Sequence, residues 1–432
     1  MQWNAVYALV LFWVTAVTYL TALTVEIKSD RRYRKAIIWI CAVFALLPLA
    51  VFKYYNFVVD NVNNYRIMPE MRGLNWAVPL GISFYSFQAV GYMLDVYKGR
   101  IKAERNWWDY MLFVSFFPQI LAGPISKADE LLPQIKAKRP FEYAKSVDGL
   151  KLLLWGMFMK VVFADRLGIY VDMIYSTYEH QSGLSCLVGS ILYSFQIYGD
   201  FAGYSMMAVG TGKVLGFDLV QNFNRPYFAS SITEFWRRWH ISLTRWLTTH
   251  VYIALGGSRC SKIRQYWNIL VTFLVSGIWH GANWTFILWG VMHGVFQIIE
   301  KMLGIDPKGR FASSNWLRRM KPMRLLVTFA IVNFAWILFR MPSIEEASVV
   351  ITKIFSDRTL DLFIPNNSIT FFTVFSILVV FTKEIVEENC PHKIELMNSR
   401  RMWVRWSTYV ALTSMILLMG VFDSSQFIYV SF

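Results

Sequence analysis

The residues of this chain best placed to do chemistry lie in Ser276-Gly277-Ile278-Trp279-His280-Gly281-Ala282-Asn283-Trp284, at the centre of an apolar run from Trp267 to Ile299. An ionisable side chain is costly to bury in so apolar a segment. His280 therefore reads as a proton relay, a ligand site or a catalytic base. The plainer alternative is a histidine that only hydrogen-bonds one helix to another. The glycines, the asparagine and the two tryptophans around it favour chemistry. A base here would need donors for any oxyanion that forms nearby. Asn283, the indole N–H of Trp279 or Trp284, and backbone N–H groups at a helix break are the candidates.

Three other segments carry chemically useful side chains. Ile232-Thr233-Glu234-Phe235-Trp236-Arg237-Arg238-Trp239-His240-Ile241-Ser242-Leu243 is amphipathic, basic and rich in tryptophan, as expected of a helix lying at the inner membrane interface. Within it His240 has two readings, a functional histidine and a solvated one. Arg237 and Arg238, with Arg245 just beyond, suit both phosphate groups and anionic lipid headgroups. In Gln196-Ile197-Tyr198-Gly199-Asp200-Phe201-Ala202-Gly203-Tyr204-Ser205 a carboxylate sits inside an apolar run. Buried carboxylates are paired or hydrogen-bonded, so Asp200 needs an Arg, Lys or Tyr partner, with Arg237 or Arg238 as candidates, and alone it reads as structural rather than catalytic. Finally, Gln119 to Ile125 closes a short apolar run with the turn signal Gly123-Pro124, which needs no function.

The elements that must position these residues follow from composition. Hydrophobic residues fill 56% of 432 positions and charged ones only 16%, too apolar a balance for a soluble protein, so the chain is expected to be an all-α polytopic membrane protein. The net charge of +15 would otherwise point to nucleic acid. The lysines and arginines, however, cluster in short loops between apolar runs, which is a topological pattern. Cys41, Cys186, Cys260 and Cys390 are scattered, with no CxxC pair and no histidine at ligand spacing, so neither a disulfide framework nor a metal site is expected.

Candidate spans are Ala5–Val25, Ala36–Val58, Ala77–Tyr97, Leu150–Tyr175, Leu184–Met206, Leu325–Leu338, Ile369–Phe381 and Thr408–Val421. Ala5–Val25 has no small-residue cleavage site and is expected to be retained. Lys28, Arg31, Arg32, Arg34 and Lys35 place the first loop in the cytoplasm and the N-terminus outside. Basic loops flank the short run Tyr110–Ala122 on both sides, so that run must return to the side it left. The same holds for Trp267–Ile299, between Arg259, Lys262 and Arg264 on one side and Lys301, Lys308 and Arg310 on the other. One helix of that length would be roughly 50 Å long and would separate the two basic flanks. Two helices meeting near Gly281 and Asn283 are expected instead, with His280 at the apex. Broken backbone at membrane depth is tolerated only inside protein or beside a water-filled cavity, which places His280 on a chamber wall. Ser176–Gly183 and Ser424–Phe432 carry no lysine or arginine and are expected outside.

Taken together, these segments resemble the membrane-bound O-acyltransferases, in the bacterial branch that includes alginate O-acetyltransferases and teichoic acid D-alanyl transferases. Lys53-Tyr54-Tyr55-Asn56-Phe57, Gly81 to Gln88, Phe117-Pro118-Gln119 and Asn222-Phe223-Asn224-Arg225-Pro226-Tyr227 carry the likeness, with the blocks around His240 and His280 the most specific. Glu234 to His240 followed by Leu255-Gly256-Gly257-Ser258-Arg259 is more similar to the polysaccharide O-acetyltransferases than to the D-alanyl enzymes. Thr248-Thr249-His250 departs from the Arg-Asp pair usual there.

The resemblance implies one domain over residues 1–432 with a catalytic core at about 77–300, built of roughly 10 to 12 transmembrane or re-entrant helices ringed around a central funnel. It implies His280 as the catalytic residue and His240 as a second motif histidine. Asn283, Trp279, Trp284, Asp200, Trp236, Arg237, Arg238, Trp239 and Asn224 are the expected supporting residues. It further implies a multi-pass protein of the bacterial cytoplasmic membrane with no resident cofactor. Acetyl-CoA or another acyl thioester would be the donor, and an extracytoplasmic partner would complete transfer to a polysaccharide. The rival expectations are D-alanyl transfer to teichoic acid, a proton-coupled transporter and an inactive scaffold of a glycan-secretion complex.

Overall fold

A computed structural model describes residues 6–28, 30–66, 69–121, 123–311, 314–390 and 396–422. Among these, helices are the regular secondary structure throughout, so the protein is all-α. The expected outer segment Ser424–Phe432 lies outside the described residues.

Helices α1 (Val6–Ile27), α2 (Arg31–Leu49) and α4 (Ile82–Tyr97) pack together, joined by α3 (Tyr55–Asn64). Pro48 lies inside α2 and has no N–H to offer the carbonyl one turn back. The indole of Trp13 on α1 donates to that freed carbonyl, Phe44 O, at 3.0 Å. Beyond Pro48 the helix widens into a π-helical turn, Ala50–Tyr54, which carries Lys53. The span expected from Ala77 begins as helix only at Ile82, because Pro79 and a left-handed Gly81 (φ 76°) precede it. A Cβ on Gly81 would lie 2.1 Å from Ile120 O.

The run expected to return to its own side is broken into α5 (Trp107–Val114) and α6 (Phe117–Ile120), both too short to cross. After α7 (Ala128–Lys136), α8 (Tyr143–Met157) passes through a π-helical segment, Phe158–Ala164, into α9 (Asp165–Tyr175). The central helix α10 (Gly183–Val214) has 32 residues, well beyond the expected Leu184–Met206, and is buried along most of its length. Short α11 (Ile232–Arg238) and α12 (Ile241–Leu247) lead to the hairpin of α13 (Lys262–His280) and α14 (Trp284–Leu303). The chain closes with α15 (Asn315–Arg319), α16 (Lys321–Arg340), α17 (Ile344–Ser356), α18 (Asn367–Asn389) and α19 (Met402–Met419). Ser182, Ser231, Ser261, Asn283, Ser343 and Asn366 cap the helices they precede, each accepting a backbone N–H.

Five stretches among the described residues are long and apolar enough to cross a bilayer: Tyr7–Ile27, Arg31–Asn64, Trp284–Leu303, Lys321–Arg340 and Asn367–Asn389. Helix α10 is different in kind, with glycines and serines on faces that pack against protein instead of lipid. Three apolar cores result among the described residues. One joins α1, α4, α5 and α7, a second joins α8 to α14 with α16 to α19, and a small third joins α1, α2 and α4.

Candidate active site

Helix α13 stops at His280 because Gly281 turns extended, and Asn283 starts α14 by accepting the Thr285 N–H at 3.0 Å. A side chain at residue 281 would collide with the Phe286 ring, 2.2 Å from its Cβ, so only glycine lets the two helices close this tightly. His280 thus sits at the junction of the hairpin, with 4% of its surface exposed. Its Nδ1 lies 2.7 Å from Ser276 O. A carbonyl oxygen only accepts, so Nδ1 carries the proton and the lone pair is on Nε2, the tautomer a general base needs.

His240 follows α11 in the left-handed region (φ 43°, ψ 54°), a conformation costly for a side chain of this size. Backbone bonds on either side hold it there. Asn224 N–H donates to Arg238 O, and Ile241 N–H donates to Asn222 O, both at 2.9 Å. The Asn222 side chain adds a third bond by accepting the Ser242 N–H at 3.1 Å. The His240 ring is fully buried against Phe201 and Trp279, with centroids 4.6 and 6.0 Å away, and its nitrogens have no hydrogen-bond partner among the described residues. Trp279 also packs edge-on against His280 at 4.9 Å. One indole therefore joins two histidines forty positions apart. The solvated reading of His240 is overturned, as is the interfacial reading of its segment. Trp236 and Trp239 are 4% and 0% exposed, because their rings fill the aromatic core around α14 and α16.

A cleft of about 550 Å³, including the space open at its mouth, lies beside His280. Leu80 to Phe84 and Leu121 line it from one side, and Trp279 and His280 from the other. Lys53 reaches in from the π-helical turn. Its ammonium donates to Trp279 O at 2.8 Å and His280 O at 2.9 Å, and Tyr54 OH donates to Ile278 O at 2.6 Å. These bonds satisfy carbonyls that the end of α13 leaves without helical partners, with the positive charge at the favourable helix end. Lys53 was not among the candidate site residues. Its signal was a lysine inside an apolar run, four residues after Leu49.

Several expected supporting residues stand elsewhere. Asp200 pairs with Lys160, which also binds Asp165 at 2.7 Å, and not with Arg237 or Arg238. The π-helical segment of α8–α9 brings that lysine against α10. Arg238 is held by Glu234 at 2.8 Å and Glu388 at 3.0 Å, Arg245 by Glu130, and Arg237 points to the exterior. The Asn224 side chain is exposed, so its contribution to the fold comes through its backbone. Trp284, 49% exposed, donates to Asn61 Oδ1 at 2.9 Å, on α3. Besides capping α14, Asn283 donates to Pro342 O at 2.6 Å, and Trp279 Nε1 donates to Ser83 O at 3.4 Å. The three side chains among the expected oxyanion donors thus have partners within the fold. His250 packs on Trp246 at 4.9 Å, 3.8 Å from Asp95.

Two further residues escaped sequence reasoning. Trp289 packs edge-on against His280 at 4.8 Å, and His293, fully buried one turn later, accepts from Trp236 Nε1 at 3.3 Å. Their spacing of four within the same apolar run was the available signal.

The fold and site define a helical membrane protein with a buried histidine at a helix break, and comparison with known proteins gives its family. The profile of the membrane-bound O-acyltransferase family matches residues 102–343, more than half of the chain. The chain is 36% identical over 365 residues to the probable alginate O-acetylase AlgI of Pseudomonas aeruginosa, covering 83% of this chain and 68% of that protein. It is 34% identical to the peptidoglycan O-acetyltransferase of Helicobacter pylori, over 81% and 70% of the two. With the teichoic acid D-alanyltransferase of Bacillus subtilis the identity is 28%, over 60% and 68%. The protein belongs to the membrane-bound O-acyltransferase family. Against several alginate O-acetylases it spans less than two thirds of their length, for example 61% for that of Azotobacter vinelandii.

Proposed function

We propose that this protein is an O-acetyltransferase that moves an acetyl group from a cytoplasmic thioester, acetyl-CoA or a related donor, to a hydroxyl of an extracytoplasmic polysaccharide or of a partner protein. The observation that carries the reading is the His280 tautomer, with its proton held by Ser276 O and its lone pair on Nε2, beside a cleft. The acceptor O–H gives its proton to Nε2 as its oxygen attacks the thioester carbonyl. The C–O bond forms, the C–S bond breaks, and the proton passes from His280 to the departing thiolate. Buried aromatic rings around His280 keep competing water away.

Acetyl transfer is favoured over D-alanyl transfer because the relatives named as acetylases are more similar than those named as D-alanyl transferases. The setting is the bacterial cytoplasmic membrane, with the N-terminus outside and an extracytoplasmic partner completing transfer to the glycan. The test is ester-linked acetate on extracellular glycan from cells carrying wild type, a deletion, or His280→Ala at matched membrane abundance. Acetate is expected to fall at least 100-fold in both mutants, on the order expected when a catalytic group is removed. Wild-type acetate levels with His280→Ala would refute the role, and a wild type that forms none would favour D-alanyl transfer.

A further inference from the structure

We infer that Lys53 positions His280 and supplies the positive charge that stabilises the oxyanion of acyl transfer, an assignment that rests on the reading above. Its ammonium spends two N–H groups on Trp279 O and His280 O, 2.8 and 2.9 Å away, which fixes the residue that carries the base. The third N–H has only a long contact, 3.5 Å to Ser83 Oγ, within the same cleft. Among the described residues lining that cleft, Lys53 is the one lysine or arginine. Two neutral side-chain donors near His280 are committed to the fold, Asn283 to Pro342 and Trp284 to Asn61.

When the acceptor oxygen adds to the thioester, the carbonyl electron pair moves onto its oxygen. A fixed ammonium beside His280 meets that charge in an environment poor in water, where such a contact is strong. The pair returns as the C–S bond breaks, and Lys53 ends as it began. The π-helical turn serves this role by projecting Lys53 and Tyr54 together onto the end of α13, so that three successive carbonyls are held from one element.

The test uses the full-length protein in detergent, with acetyl-CoA as donor, a soluble polysaccharide as hydroxyl acceptor and acceptor-dependent thiol release as readout, beside glycan acetate in cells. Lys53→Met removes both clamp and charge. Lys53→Gln removes the charge and keeps two N–H donors on a side chain one bond shorter. Both are expected to lower kcat on the order of 100-fold, with KM for acetyl-CoA changed by less than about threefold. A kcat within about tenfold of wild type in either folded variant, or a loss carried by KM, overturns the assignment. If Lys53→Met fails to fold, Lys53→Gln decides, and failure of both to accumulate overturns it in favour of a purely structural clamp. A wild type that releases no thiol and leaves no acetate on glycan refutes the acyl-transfer reading instead.

Discussion

A histidine on the last turn of a helix has an acceptor one turn back on its own backbone, and His280 uses it. Ser276 O needs no distant element to set the tautomer, so the base is prepared locally and only its surroundings are built by the fold. His240 is the converse, since its left-handed backbone is imposed by bonds from residues 222 and 224. A third residue, Glu104, shows how one side chain sets a pH window. Burial of Glu104 raises the carboxyl, yet the Lys136 ammonium and the N–H groups of Asn106 and Arg105 outweigh it and hold the group below its ordinary 4.5. A carboxylate whose folded value is depressed adds stability above its unfolded value and loses it as pH falls through the folded one. Glu104→Gln is therefore expected to lower the unfolding temperature in detergent at neutral pH. The gap to wild type should close as pH falls below 4.5, and a gap independent of pH would count against this account.

At the scale of elements, the antiparallel contact of α8 and its π-helical extension with α10 sets the centre of the molecule. Gly156 and Gly203 face each other so closely that a Cβ on either would lie 2.7 Å from the other's carbonyl oxygen, and Gly149 and Gly210 repeat the arrangement two turns away. Small residues at such contacts replace the hydrophobic drive that lipid cannot provide. Gly203→Leu must push α8 away beside the segment that carries Lys160, the partner of Asp200. It is expected to cost at least about 3 kcal/mol, the upper end for overpacking, with loss of folded protein by size-exclusion profile. Normal yield and unfolding temperature would show that the contact can yield.

Across the whole molecule, Glu388 at the end of α18 holds Arg225 and Arg238, 163 and 150 positions earlier. This closes the C-terminal helices over α11 and so over the His240 turn. Glu388→Gln leaves both arginines with weaker acceptors and is expected to cost about 2 kcal/mol, as for hydrogen bonds to charged groups. Thermal unfolding in detergent reads the loss, and an unchanged midpoint would mean that Glu234 suffices for Arg238.

The helical class and the hairpin break at Gly281 to Asn283 were legible in the residues, because apolar period and glycine act over a few positions. His280 was legible for the same reason, as an ionisable group in an apolar run. What joins it to His240, Lys53 and His293 was not, since each lies on a different helix and side-chain contact across helices leaves no periodic trace. That Asp200 needs a basic or tyrosine partner was legible, but that the partner is Lys160 was not, because Lys160 also stands in an apolar run and no local pattern ranks it above the arginines nearer the histidine motif. The interfacial look of Ile232 to Leu243 misled because tryptophan and arginine serve equally at a membrane surface and in a packed aromatic core. Sequence alone thus determined where the chain is helical and which histidine is costly to bury. Tertiary structure decided which groups share a cavity, because burial and charge pairing depend on distances between helices that no local pattern encodes.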